Sequence, residues 1–332
     1  MNASSLYFMA PHQVEVVQEP VGAPAAQQIL VQTLVSAISP GSELLVYRGE
    51  VPADMPLDAN IPGLTGGSTF PVKYGYSAIG RVIGLGADVS PEWLDRLVFS
   101  LHPHESHFLA SAQDLAPVPA AVSPEDAVMF ANVEAAVTFV MDGRPLVGEH
   151  VAVFGQGVVG LLTTALLAKF PLSSLVTLDR HPLRRRLSTE LGAHETVDPA
   201  AATQLEDSSF DLTFELSGSP AALDQAIAVT GFAGRVVIGS WYGERSARLH
   251  LGGAFHRSRM QLMSSQVSTI DPALRGRWTT HRRRRLTWQT LADLRPSRLV
   301  THRFRFCDAN KAYELLDRRP DEAVQVLLTY DA

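Results

Sequence analysis

Short runs that alternate apolar and polar residues fill the first third of the chain. The runs are QILVQTLVSAIS, YSAIGRVIGLG, DRLVFSL and HFLASAQDLAPVP. A period of two is typical of β-strands, and the Gly, Pro, Asn and Asp residues between the runs are typical of turns. The pattern therefore predicts a β-rich, barrel-like domain over residues 1–121.

The pattern changes at Ser123, which precedes Pro, Glu and Asp as in a helix N-terminus. From Val151 onwards, helical segments separate the strand candidates VAVFG, LVTLD, FDLTFELSG, GRVVIGSWYG and RMQLMSSQVS. Strands interleaved with helices predict an α/β domain with a doubly wound parallel sheet, here over residues 122–272. The last segment has a strand–helix–strand pattern, and we expect residues 273–332 to return to the first domain.

Composition narrows the class of protein. The chain has 332 residues, of which 46% are hydrophobic, and this is enough for two domains. Its formal net charge of -6 gives no general attraction to nucleic acid. The single cysteine, Cys307, excludes an intramolecular disulfide and a multi-cysteine zinc site. With no signal-peptide pattern and no membrane-length apolar run, we expect a cytoplasmic protein with a small-molecule substrate and neither a nucleic-acid nor a membrane partner.

A glycine-rich turn follows the first strand of the α/β region. The motif is Gly155-x-Gly157-x-x-Gly160, and Asp179 ends the next strand, LVTLD. In a dinucleotide-binding unit the first glycine permits a tight turn, the second lets the backbone approach a pyrophosphate, and the third lets the helix pack closely. We expect Asp179 to accept hydrogen bonds from the adenosine ribose. The alternative is a βαβ turn that needs glycine only for steric reasons.

Further cofactor candidates come from the same turn and from the carboxyl ends of the other strands, because these ends meet at one edge of a parallel sheet. They are Gln156, Val158, Val159, Arg180, Arg184, Ser217, Gly218, Gly239, Ser240, Trp241, Ser264, Ser265 and Gln266. Asp179 favours NAD because a carboxylate repels a 2′-phosphate, whereas the nearby arginines leave NADP possible. Trp241 and Tyr242 fit either a substrate pocket or a core.

The order of these segments resembles the medium-chain dehydrogenase/reductase superfamily, the relatives of zinc alcohol dehydrogenases. The motifs SAISPGSELLVYRG, YGYSAIGRVIGLG, VAVFGQGVVGLL and FELSGSPAALDQAI carry a resemblance that covers nearly the whole chain. It implies a GroES-like catalytic domain (residues 1–121 and 273–332), a Rossmann domain (residues 122–272) and an NAD(P)-dependent oxidoreductase. Edge-strand dimers are common in similar proteins, so the resemblance also implies a homodimer.

The chain departs from the zinc-dependent members at the positions that the resemblance assigns to the metal. Pro40 stands in place of a cysteine, Tyr76 in place of a histidine, and Asn132 lies near the third ligand position. Catalytic zinc needs three N, S or carboxylate ligands. The pattern therefore resembles a zinc-lacking branch that includes bacteriochlorophyllide-type dehydrogenases, and it implies that no zinc is bound.

Four residues of the first domain are catalytic candidates on this resemblance. Ser42 matches a hydroxyl residue that relays the substrate proton, and Tyr76 takes the place of a lost ligand, so both are suited to bind a carbonyl oxygen. Glu43 matches an acid that orients a metal-bound histidine, and here it would bond Tyr76 or a backbone amide instead. His104, in LHPHESHF, is an acid–base candidate. Metal binding by that histidine cluster is disfavoured, because strand geometry separates His107 from the other two histidines.

Three functions stay open at this point. The favoured one is a zinc-independent, NAD-linked oxidoreductase that interconverts a secondary alcohol and a ketone on a medium-sized metabolite. The second is an NADPH-dependent reductase of enones or quinones, and the third is a nucleotide-binding protein without turnover. The basic run from His281 to Arg285 is interpreted as a solvated helix face.

Overall fold

A computed structural model describes residues 1–52, 55–58, 61, 64, 66–200 and 210–331. Two compact units are present: a β-rich unit of residues 1–131 and 288–332, and an α/β unit of residues 132–287. The sequence-based boundaries lay at 121/122 and 272/273. In the structure, the boundaries between the two units fall inside the helices Phe130–Gly143 and Thr280–Leu294. Because a continuous helical pattern carries no boundary signal, the sequence could not place them.

The elements of both units are numbered in chain order. The strands are β1 (Asn2–Ala10), β2 (Gln13–Pro20), β3 (Gln28–Ile38), β4 (Val72–Lys73), β5 (Ala78–Leu85), β6 (Leu97–Ser100), β7 (His107–Ser111), β8 (Leu115–Pro117), β9 (His150–Phe154), β10 (Ser174–Leu178), β11 (Glu195–Val197), β12 (Phe210–Glu215), β13 (Thr230–Ile238), β14 (Gln261–Ser264), β15 (Val300–Arg305) and β16 (Gln325–Thr329). The α-helices are α1 (Pro40–Arg48), α2 (Pro124–Ala127), α3 (Phe130–Gly143), α4 (Val158–Leu167), α5 (Pro182–Glu190), α6 (Pro220–Val229), α7 (Thr280–Leu294) and α8 (Ala309–Arg318).

The β-rich unit contains two sheets in the described ranges. One has the order β2-β1-β4, and the other has the order β15-β16-β3-β5-β6-β8 with β7 also paired to β3. All pairs are antiparallel except β15 with β16. β3 is mostly buried, and residues such as Ile29 and Val31 form a core with Phe108. Its carboxyl end runs into α1 beside the start of β5, since Ser36 pairs with Ala78.

The α/β unit is built on a six-stranded parallel sheet with the order β11-β10-β9-β12-β13-β14. Counted within the unit, this is the strand order 3-2-1-4-5-6 of a doubly wound dinucleotide-binding fold. Separate apolar clusters contain alternate residues of β9: Ala152 and Phe154 belong to one, and Val151 and Val153 to the other. The sheet therefore buries both sides, as expected when helices cover both faces.

The predicted fold class is confirmed: the protein combines a Rossmann-type parallel sheet with an antiparallel, β-rich unit. The strands and helices predicted from Val151 onward are present, as is the terminal strand–helix–strand of β15, α8 and β16. The hairpin of β1 and β2, helix α1 and the short strand β11 were not identified from the sequence. Within the described ranges, none of the helices combines the length and apolarity that a bilayer crossing requires.

Candidate active site

The glycine turn after β9 has the geometry that its spacing predicts. Gly155 has a φ of 89°, and a Cβ there would lie 2.5 Å from the Cα of Ser217. A Cβ on Gly160 would lie 2.0 Å from the carbonyl oxygen of Gly155. A Cβ on Gly157 would meet no atom within 4 Å. Gly155 and Gly160 are therefore required by close packing, whereas Gly157 borders open space.

Helix α4 begins directly at this open space. Gly157 is its N-cap residue and supplies no side-chain cap, and the first helical bond runs from Leu161 N–H to the Gly157 carbonyl. The N–H groups of Val158, Val159 and Gly160, in the first turn of α4, have no intrahelical acceptors. They lie at the positive end of the helix dipole. Gly157 and Val159 are partly exposed, while Val158 and Gly160 are buried. These residues fit a pyrophosphate group.

Asp179, directly after β10, connects the glycine turn to the next loop. One carboxylate oxygen accepts the Gln156 N–H at 2.7 Å, and the other accepts the His181 N–H at 2.8 Å. The side chain is mostly buried, and Arg184 Nη1 lies 3.9 Å from it. A carboxylate has about four lone-pair sites, so both oxygens keep capacity for ribose hydroxyls. Gln156 itself is fully buried and its side-chain oxygen accepts the Thr164 hydroxyl, so its side chain is structural.

The carboxyl end of β12 holds an acid that the sequence analysis missed. Glu215 is completely buried, and its carboxylate accepts the Ser217 N–H at 2.8 Å, the Ser217 hydroxyl and the Tyr242 hydroxyl at 2.5 Å. Burial and the negative charge of Glu215 raise the pKa of Tyr242 above its ordinary value. The Ser240 hydroxyl accepts the Gly218 N–H at 2.9 Å. The side-chain hydroxyls of Ser217 and Ser240 therefore hold the backbone in place at the carboxyl edge of the sheet.

Two of the cofactor candidates at the carboxyl end of β14 also form hydrogen bonds with neighbouring residues. The Ser265 hydroxyl donates to Asp142 at 2.5 Å, and the side-chain oxygen of Gln266 accepts the Ser268 N–H at 2.8 Å. Burial raises the pKa of Asp142, although the Ser265 hydrogen bond opposes the shift. Ser264 is exposed at the end of the strand. The side chains of Ser265 and Gln266 therefore hold this segment in place at the carboxyl edge of the sheet.

The remaining cofactor candidates lie at the same carboxyl edge of the sheet. Gly239 packs so closely that a Cβ would lie 2.6 Å from both Leu216 and Phe139 side-chain atoms. Trp241 is half-buried, and Arg180 is exposed, with its Nε donating to His181 at 3.0 Å. Gly239 is thus explained by packing, whereas Trp241 and Arg180 keep accessible surface.

In the β-rich unit, the structure brings Ser42 and Tyr76 together. Ser42 lies in the first turn of α1, Tyr76 lies just before β5, and their hydroxyl oxygens are 2.8 Å apart. Both residues are half-buried. Burial raises the pKa of Tyr76 to about 12, although the Ser39 and Ser42 hydroxyls oppose the shift. The phenol is therefore protonated near neutral pH, and the pair can donate hydrogen bonds to an oxygen atom.

Glu43 and His104 form a separate, fully buried cluster. His104 Nε2 lies 3.0 Å from Glu43 Oε2, which also accepts the Tyr313 hydroxyl at 2.5 Å, and Glu43 Oε1 accepts the Ser39 N–H at 2.7 Å. His104 Nδ1 lies 2.8 Å from the Ser36 hydroxyl. Neither Glu43 nor His104 has exposed surface. Of the two partners expected for Glu43, the structure shows the backbone amide and not Tyr76. Both ring nitrogens of His104 are engaged by protein partners, so the structure gives neither residue a free atom for the acid–base role proposed from the sequence.

The residues at the expected metal positions do not fit zinc. Pro40 offers no side-chain donor atom for a metal, and Tyr76 carries a protonated phenol. His104 and Glu43 bond each other. In the described part of the chain, no three His, Cys, Asp or Glu side chains are grouped to hold a metal. The other histidines of LHPHESHF have different partners, since His102 bonds Glu105 and His107 bonds Ser106.

Comparisons with known proteins agree with the fold. A protein-family profile described as "Zinc-binding dehydrogenase" matches residues 158–280. (R,R)-butanediol dehydrogenase of Bacillus subtilis (strain 168) is 28% identical over 284 residues, which cover 75% of this chain and 80% of that protein.

Two solved structures share the fold. The RspB alcohol dehydrogenase from E. coli CFT073, complexed with NADH, has a TM-score of 0.79 at 17% identity and covers 99% of both chains. A zinc-binding dehydrogenase from Sinorhizobium meliloti 1021, bound to NADP, has a TM-score of 0.76 at 18% identity and also covers 99% of both chains.

The doubly wound fold, the glycine turn after β9 and the dehydrogenase relatives together define an NAD(P)-dependent oxidoreductase. The chain is similar to the medium-chain dehydrogenase/reductase superfamily in its matched α/β segment, in its curated relatives and in its fold. The family profile lies within the α/β unit and does not include Ser42 or Tyr76. The match therefore carries no information about metal binding at those two positions.

Proposed function

We propose that this oxidoreductase interconverts a secondary alcohol and a ketone on a medium-sized, partly apolar metabolite without a bound zinc ion. The observation that carries the proposal is the contact between the Ser42 and Tyr76 hydroxyls, 2.8 Å apart, at positions that resemble the metal site of zinc-dependent relatives. The name of the Bacillus relative supports the substrate class, because the hydroxyl groups of 2,3-butanediol are secondary alcohols.

The chemistry assigned to the chain is oxyanion stabilisation and proton transfer. A bound nicotinamide coenzyme supplies or accepts the hydride. During ketone reduction the substrate oxygen gains negative charge, and the Tyr76 phenol donates a hydrogen bond and then its proton to that oxygen. The Ser42 hydroxyl can return a proton to the Tyr76 phenolate across their 2.8 Å contact and regain one from solvent, to which Ser42 is partly exposed. In alcohol oxidation the same groups carry the proton in the opposite direction.

The coenzyme we propose is NAD, with NADP as the alternative. Asp179 supports NAD because its carboxylate lies beside the glycine turn and would repel a 2′-phosphate. Arg184, 3.9 Å from that carboxylate, and the exposed Arg180 are the groups that would favour NADP. A homodimer formed through the edge strand β14, a small-molecule substrate and a cytoplasmic location remain predictions.

The test is a coenzyme titration followed by a substrate panel. NADH and NADPH are titrated by fluorescence, and secondary alcohols, ketones, enones and quinones are then followed at the nicotinamide absorbance. We expect tighter binding of NADH and turnover of alcohols and ketones. Turnover of enones or quinones alone would contradict the substrate class and favour a C=C reductase, since an oxyanion donor also suits an enolate. Tight coenzyme binding without any turnover would favour a nucleotide-binding protein.

A further inference from the structure

Arg283 is buried within a run of basic residues. It lies in the first turn of α7 and is only 2% exposed, whereas its neighbours Arg282, Arg284 and Arg285 are exposed. Thr287 and Leu291, which follow at intervals of four residues, are also buried. The interpretation of this run as a solvated helix face is therefore wrong for Arg283. A buried guanidinium costs free energy unless it is paired and hydrogen-bonded, so its partners matter.

The Arg283 guanidinium joins a buried acid to two backbone carbonyls. Nε and Nη2 donate to Glu134 Oε1 at 3.1 and 3.0 Å, and Glu134 is itself buried in α3. Nη1 donates to the Thr269 carbonyl at 3.0 Å, and Nη2 donates to the Val267 carbonyl at 2.6 Å. Only a planar guanidinium has the fork of donors that reaches all three acceptors, so lysine is no equivalent here.

Val267 and Thr269 belong to the segment that follows β14, residues 265–271, here called the β14 loop. Other bonds hold the same loop: the Ser265 hydroxyl donates to Asp142 at 2.5 Å, and Arg144 Nη2 donates to Asp271 at 2.7 Å. Arg283 is the anchor in the middle of the loop and acts on its backbone. Loss of this anchor would free the carbonyls at the centre of the loop while both ends stayed attached.

The strand order places the β14 loop on one side of the nucleotide crevice. The glycine turn follows β9, and Asp179 follows β10 on one side of it, while β12, β13 and β14 lie on the other side. A dinucleotide that has its pyrophosphate at the turn and its adenosine ribose at Asp179 must extend its second nucleoside along the edge of β12 to β14. The β14 loop therefore belongs to the nicotinamide half.

We propose that Arg283 is a positioning residue that fixes the β14 loop for the nicotinamide half of the coenzyme. This inference rests on the proposed function and deepens it. A loop that is fixed before binding has less conformational freedom to lose, so the anchor strengthens coenzyme binding and holds the ring in a reactive geometry. Arg283 acts through the carbonyls of Val267 and Thr269.

The experiment compares two ligands that differ by the nicotinamide ring. Dissociation constants for NADH and for ADP-ribose, which lacks the ring, are measured with the wild-type protein, Arg283→Met and Arg285→Met. For Arg283→Met we expect NADH binding about tenfold weaker, as for the loss of about one hydrogen bond, with ADP-ribose binding unchanged. kcat/KM should fall on the order of 10²-fold. Arg285→Met, an exposed change in the same helix, should match the wild type.

A second variant separates positioning from folding. Arg283→Met takes two hydrogen bonds from the buried Glu134 and leaves it only the exposed Arg284, whose Nε lies 3.7 Å away, and this destabilises the protein. Replacement of a buried ion pair by apolar residues is often tolerated. The double variant Glu134→Leu with Arg283→Met should therefore fold, as judged by circular dichroism, and should still lose affinity for NADH selectively. Arg283→Lys should recover little of the lost affinity.

Three results would overturn the assignment. NADH binding as tight as in the wild type, in the folded double variant, would show that the loop needs no anchor. Equal weakening for NADH and ADP-ribose would show a general effect on the α/β unit. If the wild-type protein bound neither ligand, the proposed function would fail together with this inference, whereas wild-type binding with unaffected variants would remove only the role of Arg283.

Discussion

The Asp179 carboxylate connects two loops at the carboxyl edge of the parallel sheet. Its oxygens accept the N–H groups of Gln156 and His181, and this fixes the glycine turn beside the loop that follows β10. The sequence predicted Asp179 and the three glycines because each has a steric or hydrogen-bonding requirement at a fixed spacing. It could not show that the Ser265 hydroxyl bonds Asp142, since the two residues are 123 positions apart in the chain. The local bonds of Gln156 to Thr164 and of Ser217 to Glu215 depend on side-chain conformation, which spacing alone does not give.

Replacement of Asp179 by Ser should shift the preference from NADH towards NADPH. The variant loses a charged acceptor of the ribose hydroxyls and the repulsion of a 2′-phosphate, so NADH binding should weaken about tenfold or more while NADPH binding improves. Dissociation constants from fluorescence titration check this result. Asp198→Ser, which removes a carboxylate that pairs with Arg185 and accepts the Ala200 N–H, is the matched control. Unchanged affinities for both coenzymes would place the ribose elsewhere.

At the scale of elements, periodicity predicted the strands and helices of the α/β unit. It did not predict every residue that these elements bury. The fully buried stripe of α7 includes Arg283, Thr287 and Leu291, and a four-residue spacing could have revealed it. The sequence signal was missed because the basic composition of HRRRR masks the period. The hairpin of β1 and β2 was missed because its strands lack a strict apolar–polar alternation: β1 buries consecutive residues, Ser5 and Leu6 among them.

The sheet of β1, β2 and β4 should lose stability in acid. Lys73 bonds both Glu19 and Glu105 at 2.5 Å. Burial opposes ionisation of Glu19, yet hydrogen bonds from Lys73 and Tyr7 lower its pKa from 4.5 to about 2. A lowered pKa in the folded state stabilises the protein above pH 4.5, and this contribution is lost as the pH falls from 4.5 to about 2.

Thermal unfolding as a function of pH tests this expectation. The melting temperature of the wild type should fall more steeply below pH 4.5 than that of Glu19→Gln, with a difference on the order of a few degrees. Glu15→Gln, an exposed change on the same strand, should follow the wild-type curve. Parallel curves for all three proteins would mean that the Lys73 contacts do not contribute to acid stability.

For the whole molecule, the doubly wound parallel sheet of the α/β unit and the β-rich character of the other unit follow from the sequence pattern and its family resemblance. The hydrogen bonds that join Glu43, His104 and Tyr313 could not be predicted in this way. His104 lies far from Glu43 in the chain, and it is the folded β-rich unit that brings the two together beside Tyr313. The pair fills the interior behind Ser42 and Tyr76 with satisfied hydrogen bonds.

Purified protein should contain far less than one zinc per chain. The donor atoms of Glu43 and His104 are engaged by protein partners, and Pro40 and Tyr76 supply no thiolate or imidazole. Elemental analysis after dialysis measures the metal content, and turnover should be unaffected by EDTA. One tightly held zinc per chain, with activity lost on its removal, would contradict the proposed metal-free chemistry.

The measurement that tests the central claim most directly is the turnover of Tyr76→Phe on the best alcohol or ketone from the substrate panel. Removal of the phenolic hydroxyl takes away the proton donor, so kcat should fall on the order of 10²-fold or more while the affinity for NADH stays constant. Tyr7→Phe, which removes a hydroxyl bonded to Glu19 instead, serves as the control and should keep wild-type kcat. A Tyr76→Phe enzyme with wild-type kcat would contradict the account.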